Sequence, residues 1–132
     1  CIRYSPNGET IATCSNDSTV RIWDSRSGTT KHILRDHNGY ISYVSFHPDG
    51  RRLLSVGRDS TVRLWDADTG ELLRSVQLAV YLLRCAEFSP DGNTLASVSI
   101  TGLLQVWHAP SWEDLEDLDG ESQNADSPGR AN

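Results

Sequence analysis

The 132-residue sequence lacks the features that define several large classes of protein. It has no methionine, only two phenylalanines and three cysteines, and no apolar run near the roughly 18 residues that a membrane-spanning helix needs. No charged and then apolar leader follows Cys1, so no export signal is visible. We therefore expect no membrane partner. Because the sequence starts without methionine and in the middle of a pattern, we also expect a piece of a longer chain.

Metal-binding and phosphate-binding patterns are also missing. The three cysteines are scattered, with no C-x-x-C pair and no Cys/His cluster of the kind that holds zinc. The glycines belong to turns and not to a phosphate-binding loop. The sequence therefore predicts no metal, no cofactor and no catalytic centre. Isolated thiols favour a reducing compartment, so we expect a cytoplasmic location.

Positive charge is scarce, and negative charge is concentrated at one end. Residues 1–108 carry 11 basic and 11 acidic side chains, whereas residues 109–132 carry seven acidic side chains and only Arg130. The formal charge of −6 therefore lies in the last 24 residues. A neutral region with an acidic end is a poor electrostatic footprint for phosphate, which argues against a nucleic-acid partner. Small and polar residues dominate residues 119–132 and predict a disordered acidic tail.

What the sequence does contain is a repeat with a period of 42 residues. Trp23, Trp65 and Trp107 keep this spacing. The same spacing separates three prolines and three glycines, which are Pro6, Pro48, Pro90, Gly8, Gly50 and Gly92. The heptapeptide STVRIWD at 18–24 recurs as STVRLWD at 60–66. Three landmarks that hold one period through three copies indicate a repeat architecture.

Each repeat reads as four short strands joined by tight turns. In the middle copy the predicted strands cover residues 40–46, 53–56, 61–65 and 71–76. The third of these alternates polar and apolar residues, which is the pattern of a half-buried strand. All connections are short, so neighbouring strands should pair as an antiparallel meander. The sequence predicts an all-β fold, with no helical periodicity before the tail.

This pattern resembles the WD-repeat (WD40) β-propeller family, whose repeats of about 40–45 residues end in Trp-Asp and form four-stranded blades. The resemblance implies a partial β-propeller of about three four-stranded antiparallel blades over residues 1–118, with repeats ending at Trp23, Trp65 and Trp107. The disordered acidic C-terminal tail would cover residues 119–132. The resemblance also leads us to expect that the strand after each Trp-Asp belongs to the next blade, as its outer strand.

Three blades do not close a propeller, which has about four to eight. We therefore expect the C-terminal portion of a larger repeat protein. Residues 109–116 resemble the closing segment of bacterial-type WD-repeat proteins. The remaining blades would come from the same chain or from self-association.

The resemblance assigns four polar residues of repeat two, His37, Ser55, Asp59 and Trp65, to the hydrogen-bonded structural tetrad of the family. Ser, His and Asp also compose a hydrolase triad. We favour the structural interpretation, because a serine inside an apolar strand needs partners and an unmet buried polar group costs about 1–3 kcal/mol. Partial tetrads remain in the other repeats, at Thr13, Asp17, Trp23, Ser97 and Trp107. Repeat three has Thr101 for the aspartate and Ala79 for the histidine, so we expect its blade to be the least rigid.

For function, the resemblance implies a non-enzymatic protein–protein interaction scaffold that binds a protein or peptide partner through a rim of loops. Positions that commonly contact partners in the family give a candidate rim, which consists of Asn16, Tyr40, Ser42, Arg58, Leu82, Arg84 and Ile100. Tyrosine and arginine are enriched at binding hot spots. Alternatively, these are ordinary loop residues. A second alternative is an accessory or sensor domain of a larger signalling enzyme, such as a protein kinase or NTPase, whose catalytic part lies upstream.

Overall fold

The computed structural model describes residues 1–78 and 82–108, and these residues form three antiparallel β-sheets. The first sheet, blade 1, contains β1 (Ile2–Tyr4), β2 (Thr10–Cys14), β3 (Val20–Asp24) and β4 (Thr30–Leu34). Blade 2 contains β5 (Ile41–Phe46), β6 (Arg52–Gly57), β7 (Thr61–Asp66) and β8 (Leu72–Gln77). Blade 3 contains β9 (Leu83–Phe88), β10 (Thr94–Ser99) and β11 (Leu104–His108). The predicted all-β fold of antiparallel blades is confirmed, and blade 3 has three strands within the described residues.

The tight turns repeat with the strands because the same backbone conformation is needed in each blade. In each blade, one residue of the turn between the second and third strands has a positive φ. This residue is Ser18 (68°) in blade 1, Ser60 (62°) in blade 2 and Gly102 (84°) in blade 3. Asp59 stabilises this turn in blade 2, because its carboxylate accepts hydrogen bonds from the N–H and hydroxyl groups of Thr61. The two-residue period of the flanking strands then fixes which side chains face each neighbouring blade.

The position of the fourth strand corrects one expectation. The strand after Trp23-Asp24 is β4, and it pairs with β3 of its own blade and not with a strand of the next one. β8 likewise pairs with β7. The cause is the short turn at 24–29, in which the Asp24 N–H donates to the Thr29 carbonyl at 2.9 Å and closes a hairpin. The chain passes from blade 1 to blade 2 later, between β4 and β5.

Two hydrophobic clusters join the three blades. The first lies between blades 1 and 2 and contains Ala12, Val20, Ile22, Leu34, Ile41, Val44, Phe46, Leu53, Trp65 and Ala67. The second lies between blades 2 and 3 and contains Leu54, Val56, Val62, Leu64, Leu83, Ala86, Phe88 and Leu95. Because blade 2 is covered on both faces, residues 61–65 of β7 are all buried. The prediction of a half-buried strand at 61–65 is therefore wrong.

Polar side chains on the inner strands also connect the blades. Arg3 of β1 donates a hydrogen bond to the Tyr43 hydroxyl of β5, and its guanidinium carbon lies 4.7 Å from the centroid of that ring. The Tyr43 hydroxyl in turn donates to Glu87 of β9 at 2.7 Å, and the Ser45 hydroxyl donates to the same carboxylate at 2.9 Å. The three inner strands are therefore adjacent, with β5 in the middle.

The predicted boundary between blades and tail at residues 118 and 119, together with the tail itself, lies outside the described residues. Within residues 1–78 and 82–108, no helix is long and apolar enough to cross a membrane.

Candidate functional site

The structure brings His37, Ser55, Asp59 and Trp65 together in the interior of blade 2. The Trp65 indole N–H donates to Ser55 Oγ at 2.8 Å, and Ser55 Oγ lies 2.7 Å from His37 Nε2. His37 Nδ1 lies 3.0 Å from the Asp59 carboxylate. A carboxylate only accepts hydrogen bonds, so Nδ1 is the protonated nitrogen and Nε2 accepts the Ser55 hydroxyl proton. The four side chains therefore form one continuous hydrogen-bonded chain.

The charges in this network are set by burial and by hydrogen bonds. Burial lowers the pKa of His37, and this effect outweighs the hydrogen bond to Asp59, so the imidazole is neutral at pH 7. Burial alone would raise the pKa of Asp59, but hydrogen bonds from Thr61, Arg63 and the Asn38 N–H outweigh it. The pKa of Asp59 is therefore held well below its ordinary value, and the carboxylate stays ionised.

The geometry of the network favours a structural role over hydrolysis. Ser55 is fully buried and its oxygen already accepts the Trp65 N–H. A substrate carbonyl could reach this hydroxyl only if the blade opened. His37 lies in the segment between β4 and β5, so the network joins the connection from blade 1 to two strands and a turn of blade 2.

Blade 1 contains a smaller version of the network. The Trp23 indole N–H donates to Thr13 Oγ1 at 2.9 Å. Asp17 accepts hydrogen bonds from the Thr19 N–H at 2.9 Å and the Thr19 hydroxyl at 2.6 Å, and it lies 3.5 Å from Arg21. The side chains of Asp17 and Arg21 are about half exposed, so this aspartate stabilises a surface turn.

Blade 3 lacks the network in the part that the structure describes. Ser97 Oγ is buried and has no hydrogen-bond partner there, while Trp107 packs against the second hydrophobic cluster. The Thr101 hydroxyl lies 2.7 Å from the Ser99 hydroxyl and not near Ser97. Ala79, which stands where the histidine would be, lies outside the described residues.

Sequence reasoning missed Arg63, which is buried beside the network. Its guanidinium donates to the Asp59 carboxylate at 2.9 Å and to the Thr61 hydroxyl. The alternation of β7 indicated a polar residue facing solvent, and only the burial of both faces of blade 2 puts this cation in the interior. The sequence did contain a signal for the contact between Arg63 and Asp59. Arg63 lies four residues after Asp59, and Arg21 lies four residues after Asp17 in the first repeat.

Sequence reasoning also missed the role of His47, which stands where the other repeats have Ser5 and Ser89. The imidazole is buried between blades 2 and 3. It packs edge-on against the Phe88 ring with centroids 4.9 Å apart, and its Nε2 lies 3.2 Å from the Gly92 carbonyl oxygen. No pattern in the sequence signals this contact, since it depends on the packing of blade 3 against blade 2.

The candidate rim residues lie at the end of the blades where the Asp59 turn is found. The Arg58 N–H donates to the Tyr40 carbonyl at 2.8 Å, and the Arg58 guanidinium carbon lies 6.0 Å from the centroid of the Tyr40 ring. The equivalent pair in blade 3 is joined in the same way, since the Ile100 N–H donates to the Leu82 carbonyl at 3.0 Å. Four of the candidate rim residues are exposed to solvent, namely Tyr40, Arg58, Leu82 and Ile100.

The rims of the three blades adjoin one another. The Ile41 N–H of blade 2 donates to the Ser15 carbonyl of blade 1 at 3.3 Å, and Asn16 follows directly. The Ser42 hydroxyl lies 3.1 Å from the Leu83 carbonyl of blade 3 and 3.1 Å from the Val56 carbonyl of its own blade, so it donates to one or the other. Arg84 is exposed on β9, one residue further.

The cysteines are free thiols. Cys1, which precedes β1, lies next to Cys14 of β2, and the Cys14 N–H donates to the Cys1 carbonyl at 3.1 Å. Sequence reasoning treated them as scattered. Throughout residues 1–78 and 82–108, no group of three or more His, Cys, Asp or Glu side chains could hold a metal ion.

The sequence is similar to that of known WD-repeat proteins. The family described as WD domain, G-beta repeat matches residues 1–24, 28–66 and 76–108. The chain is 47% identical over 38 residues to an uncharacterized WD repeat-containing protein of Schizosaccharomyces pombe, which covers 29% of this chain and 4% of that protein. It is 44% identical over 45 residues to Ribosome assembly protein 4 of Chaetomium thermophilum, which covers 33% of this chain and 9% of that protein.

The fold is similar to that of a solved β-propeller. The structure superimposes on the β-propeller domain of Cps50 (Swd1) of Myceliophteria thermophila with a TM-score of 0.74 and 28% sequence identity. The match covers 84% of this chain and 34% of the propeller. The chain therefore spans about a third of that propeller and a small part of the two curated relatives.

Proposed function

The chain belongs to the WD-repeat family of β-propeller proteins, and we propose that it is a non-enzymatic scaffold whose loop rim binds a protein or peptide segment. The observation that carries this proposal is the continuity of the rim across three blades. Two inter-blade contacts place the loops side by side: the Ile41 N–H donates to the Ser15 carbonyl, and the Ser42 hydroxyl lies 3.1 Å from the Leu83 carbonyl. A segment of several residues could therefore contact all three blades at once.

The rim offers both apolar area and positive charge. Tyr40, Leu82 and Ile100 are large hydrophobic side chains that remain exposed. Arg58 and Arg84 are exposed, and neither forms an ion pair with any residue that the structure describes. An apolar side chain with a neighbouring carboxylate would match this surface, because the apolar group would cover the aliphatic residues while the carboxylate paired with Arg58.

The backbone of the rim is also well suited to a fixed binding surface. Leu82 has a φ of +60°, which costs free energy for a residue with a Cβ atom. Its carbonyl accepts a hydrogen bond from the Ile100 N–H at 3.0 Å, and its side chain is partly exposed at the rim. Rigid presentation of an apolar side chain lowers the entropy lost on binding.

The proposal is tested by affinity capture with the whole chain, with a rim variant and with a control variant. The rim variant carries Tyr40→Ala and Arg58→Glu. The control carries Arg51→Glu, an equally drastic change at an exposed arginine near the start of β6, at the opposite end of the strand from Arg58. Proteins retained by the wild-type chain are identified by quantitative mass spectrometry, and direct binding of each purified candidate is then measured.

A partner that uses the rim is retained by the wild-type chain and by the Arg51→Glu variant, and its retention by the rim variant falls at least tenfold. If every captured protein binds the rim variant as well as the wild-type chain, the rim is not the binding surface. Equal retention of a captured protein by the wild-type chain, the rim variant and the Arg51→Glu variant would likewise show that this protein does not bind the rim.

A further inference from the structure

Blade 1 carries two cysteines that face each other across a strand pair. The register of β1 and β2 places Ile2 opposite Thr13, and Cys1 and Cys14 are the next residues along the two strands. The Cys14 N–H donates to the Cys1 carbonyl at 3.1 Å, and the Cys1 backbone nitrogen lies 3.5 Å from the Cys14 carbonyl oxygen. Cys1 and Cys14 are therefore directly opposed residues of an antiparallel pair.

Both thiols lie on the side of blade 1 that is turned toward blade 2. Cys14 packs against the first hydrophobic cluster, which lies between these two blades. The Val44 N–H of β5 donates to Cys1 Sγ at 3.4 Å, and Cys14 Sγ lies 3.4 Å from the Cys1 backbone nitrogen. Because directly opposed side chains share one face of a sheet, the two sulfur atoms are neighbours.

The spacing of the pair is compatible with a disulfide bond. Opposed residues of a hydrogen-bonded pair have Cα atoms about 5.5 Å apart, within the range of about 4.4–6.8 Å that a disulfide spans. Their Cβ atoms, which lie about 4.5–5.5 Å apart in such pairs, must approach by about 1 Å for the bond to form. A disulfide under this strain is reduced more easily than a relaxed one. The pair therefore favours reversible oxidation over a permanent cross-link.

Among the residues that the structure describes, this arrangement of two thiols is found in blade 1 alone. Cys85 occupies the repeat position of Cys1, but the register of β9 and β10 places it opposite Val98. In blade 2 the same position holds Tyr43, which lies opposite Val56. Cys85 therefore provides a control within the chain, because it has the strand position of Cys1 without a facing thiol.

We propose that Cys1 and Cys14 form a redox-active pair, which an oxidant of the hydroperoxide class converts reversibly to a disulfide. The proposal adds a modification site to blade 1. It is independent of the proposed function, because neither thiol belongs to the candidate rim.

The oxidation proceeds in two displacements. One thiolate attacks an oxygen of the hydroperoxide, the O–O bond breaks, and the leaving oxygen takes up the proton that this thiol released. The attacking sulfur then carries a hydroxyl group. The second thiolate attacks that sulfur, and the hydroxide leaves as water with the proton of the second thiol. Two electrons pass from the sulfur atoms to the peroxide. Two molecules of a small thiol such as glutathione reverse the reaction by exchange and are themselves joined as a disulfide.

The test is oxidation of the folded protein by hydrogen peroxide, followed by alkylation of the remaining thiols and peptide mapping by mass spectrometry. The wild-type protein should yield linked peptides that contain Cys1 and Cys14, two hydrogen atoms lighter than the reduced peptides together, with Cys85 outside any link. The yield of this link should exceed that of any link to Cys85 by at least about tenfold, because only the opposed thiols are held in place for the reaction. Reduced glutathione, added to the folded oxidised protein, should restore both thiols.

Three serine variants provide the controls. Cys1→Ser and Cys14→Ser should each abolish the linked peptides. Cys85→Ser is the matched control and should give the wild-type yield. Circular dichroism establishes that each variant is folded, and either Cys1→Ser or Cys14→Ser is sufficient for the comparison.

The proposal is overturned if peroxide treatment of the folded wild-type protein gives no link between Cys1 and Cys14, or links Cys85 equally well. A link that forms only after unfolding in urea also contradicts it, since the folded arrangement would then contribute nothing. So does a link between two separate chains, which the mass of the intact oxidised protein reveals. A disulfide that glutathione cannot reduce without prior unfolding contradicts the reversible character of the site.

Discussion

His37 Nδ1 lies 3.0 Å from the Asp59 carboxylate, and this contact joins the segment that enters blade 2 to a turn within that blade. Both groups are polar, yet they lie in the protein interior, where each satisfies the other. The contact therefore holds the entering segment against blade 2. Several expected outcomes depend on it.

Removal of the Asp59 carboxylate should destabilise the protein strongly. Asp59→Ala leaves His37, Thr61 and Arg63 without their shared acceptor, and we expect a loss of about 2–4 kcal/mol in the free energy of unfolding. Asp17→Ala is the matched control, because Asp17 occupies the same repeat position on the surface and its replacement should cost much less than that of Asp59. Urea denaturation of the two variants measures the difference, and equal losses would show that the buried network adds nothing.

Stability should fall as the pH falls below about 6.5. Burial lowers the pKa of His37 in the folded protein, so below its unfolded value of about 6.5 the unfolded chain binds a proton that the folded chain resists. Asp59 acts in the same direction at lower pH. Its folded pKa is depressed, so its contribution is complete above about pH 3.9 and is lost as the pH falls from there.

Replacement of the imidazole tests this assignment. His37→Gln should flatten the dependence of the unfolding free energy on pH between pH 7 and 5, where one histidine can contribute at most about 1.4 kcal/mol per pH unit. Denaturant titrations at several pH values provide the measurement. Trp65→Phe, which keeps His37 and Asp59, should retain the wild-type slope. An unchanged slope in His37→Gln would assign the dependence to other groups.

Glycine substitutions should distinguish backbone strain from inter-blade packing. Gly8 and Gly92 occupy one repeat position with φ of +73° and +75°, so alanine at either should cost about 1 kcal/mol in conformational strain. A Cβ at Gly8 meets nothing within 4 Å, but one at Gly92 would lie 2.4 Å from His47 Nε2. Gly92→Ala should therefore cost at least about 1 kcal/mol more than Gly8→Ala, because His47 must leave its place against Phe88.

A double-mutant cycle isolates the packing contribution. In a His47→Ser background, which restores the residue type of the other repeats, Gly92→Ala should cost no more than Gly8→Ala does. Thermal or urea denaturation of the four proteins gives the coupling. If Gly92→Ala is as costly without the imidazole as with it, His47 does not determine the penalty.

The tryptophans at the repeat ends should differ in the importance of their N–H groups. Trp65→Phe removes the donor to Ser55 in a buried network and should cost about 1–2 kcal/mol more than Trp107→Phe. In blade 3 the equivalent Ser97 Oγ has no partner among residues 1–78 and 82–108, so no such hydrogen bond is lost. Calorimetric unfolding of the two variants tests this, and equal losses would mean that ring volume alone matters.

The periodic part of the fold could be predicted from the sequence because it depends on local information. Turn residues such as Asp59-Ser60 and the alternation of side chains fix the strands within one repeat, and the 42-residue spacing carries the result to the other copies. The order of strands in each sheet is less local. The expectation that the strand after Trp-Asp joins the next blade was wrong, since the turn at 24–29 closes a hairpin within the blade.

Burial in the middle blade could not be predicted from its own residues. Arg63 has the sequence neighbours of a surface arginine, and it is buried only because blade 2 is covered by another blade on each side. His47 is similar, since its partners Phe88 and Gly92 lie about one repeat further along the chain. The repeat pattern predicts which residues lie at the rim. It does not predict that the rims of neighbouring blades adjoin, because this depends on contacts between blades such as that of the Ser42 hydroxyl with the Leu83 carbonyl.

Within the described residues, each strand pairs only with strands adjacent to it in the chain, and the unit of 42 residues recurs without insertion. A gene encoding such a protein can gain or lose one whole unit by unequal crossing-over without breaking any strand pairing. The number of blades is therefore free to change in evolution more easily than the structure of any blade. Selection then acts on the two blade faces at the junction, which must match after each exchange.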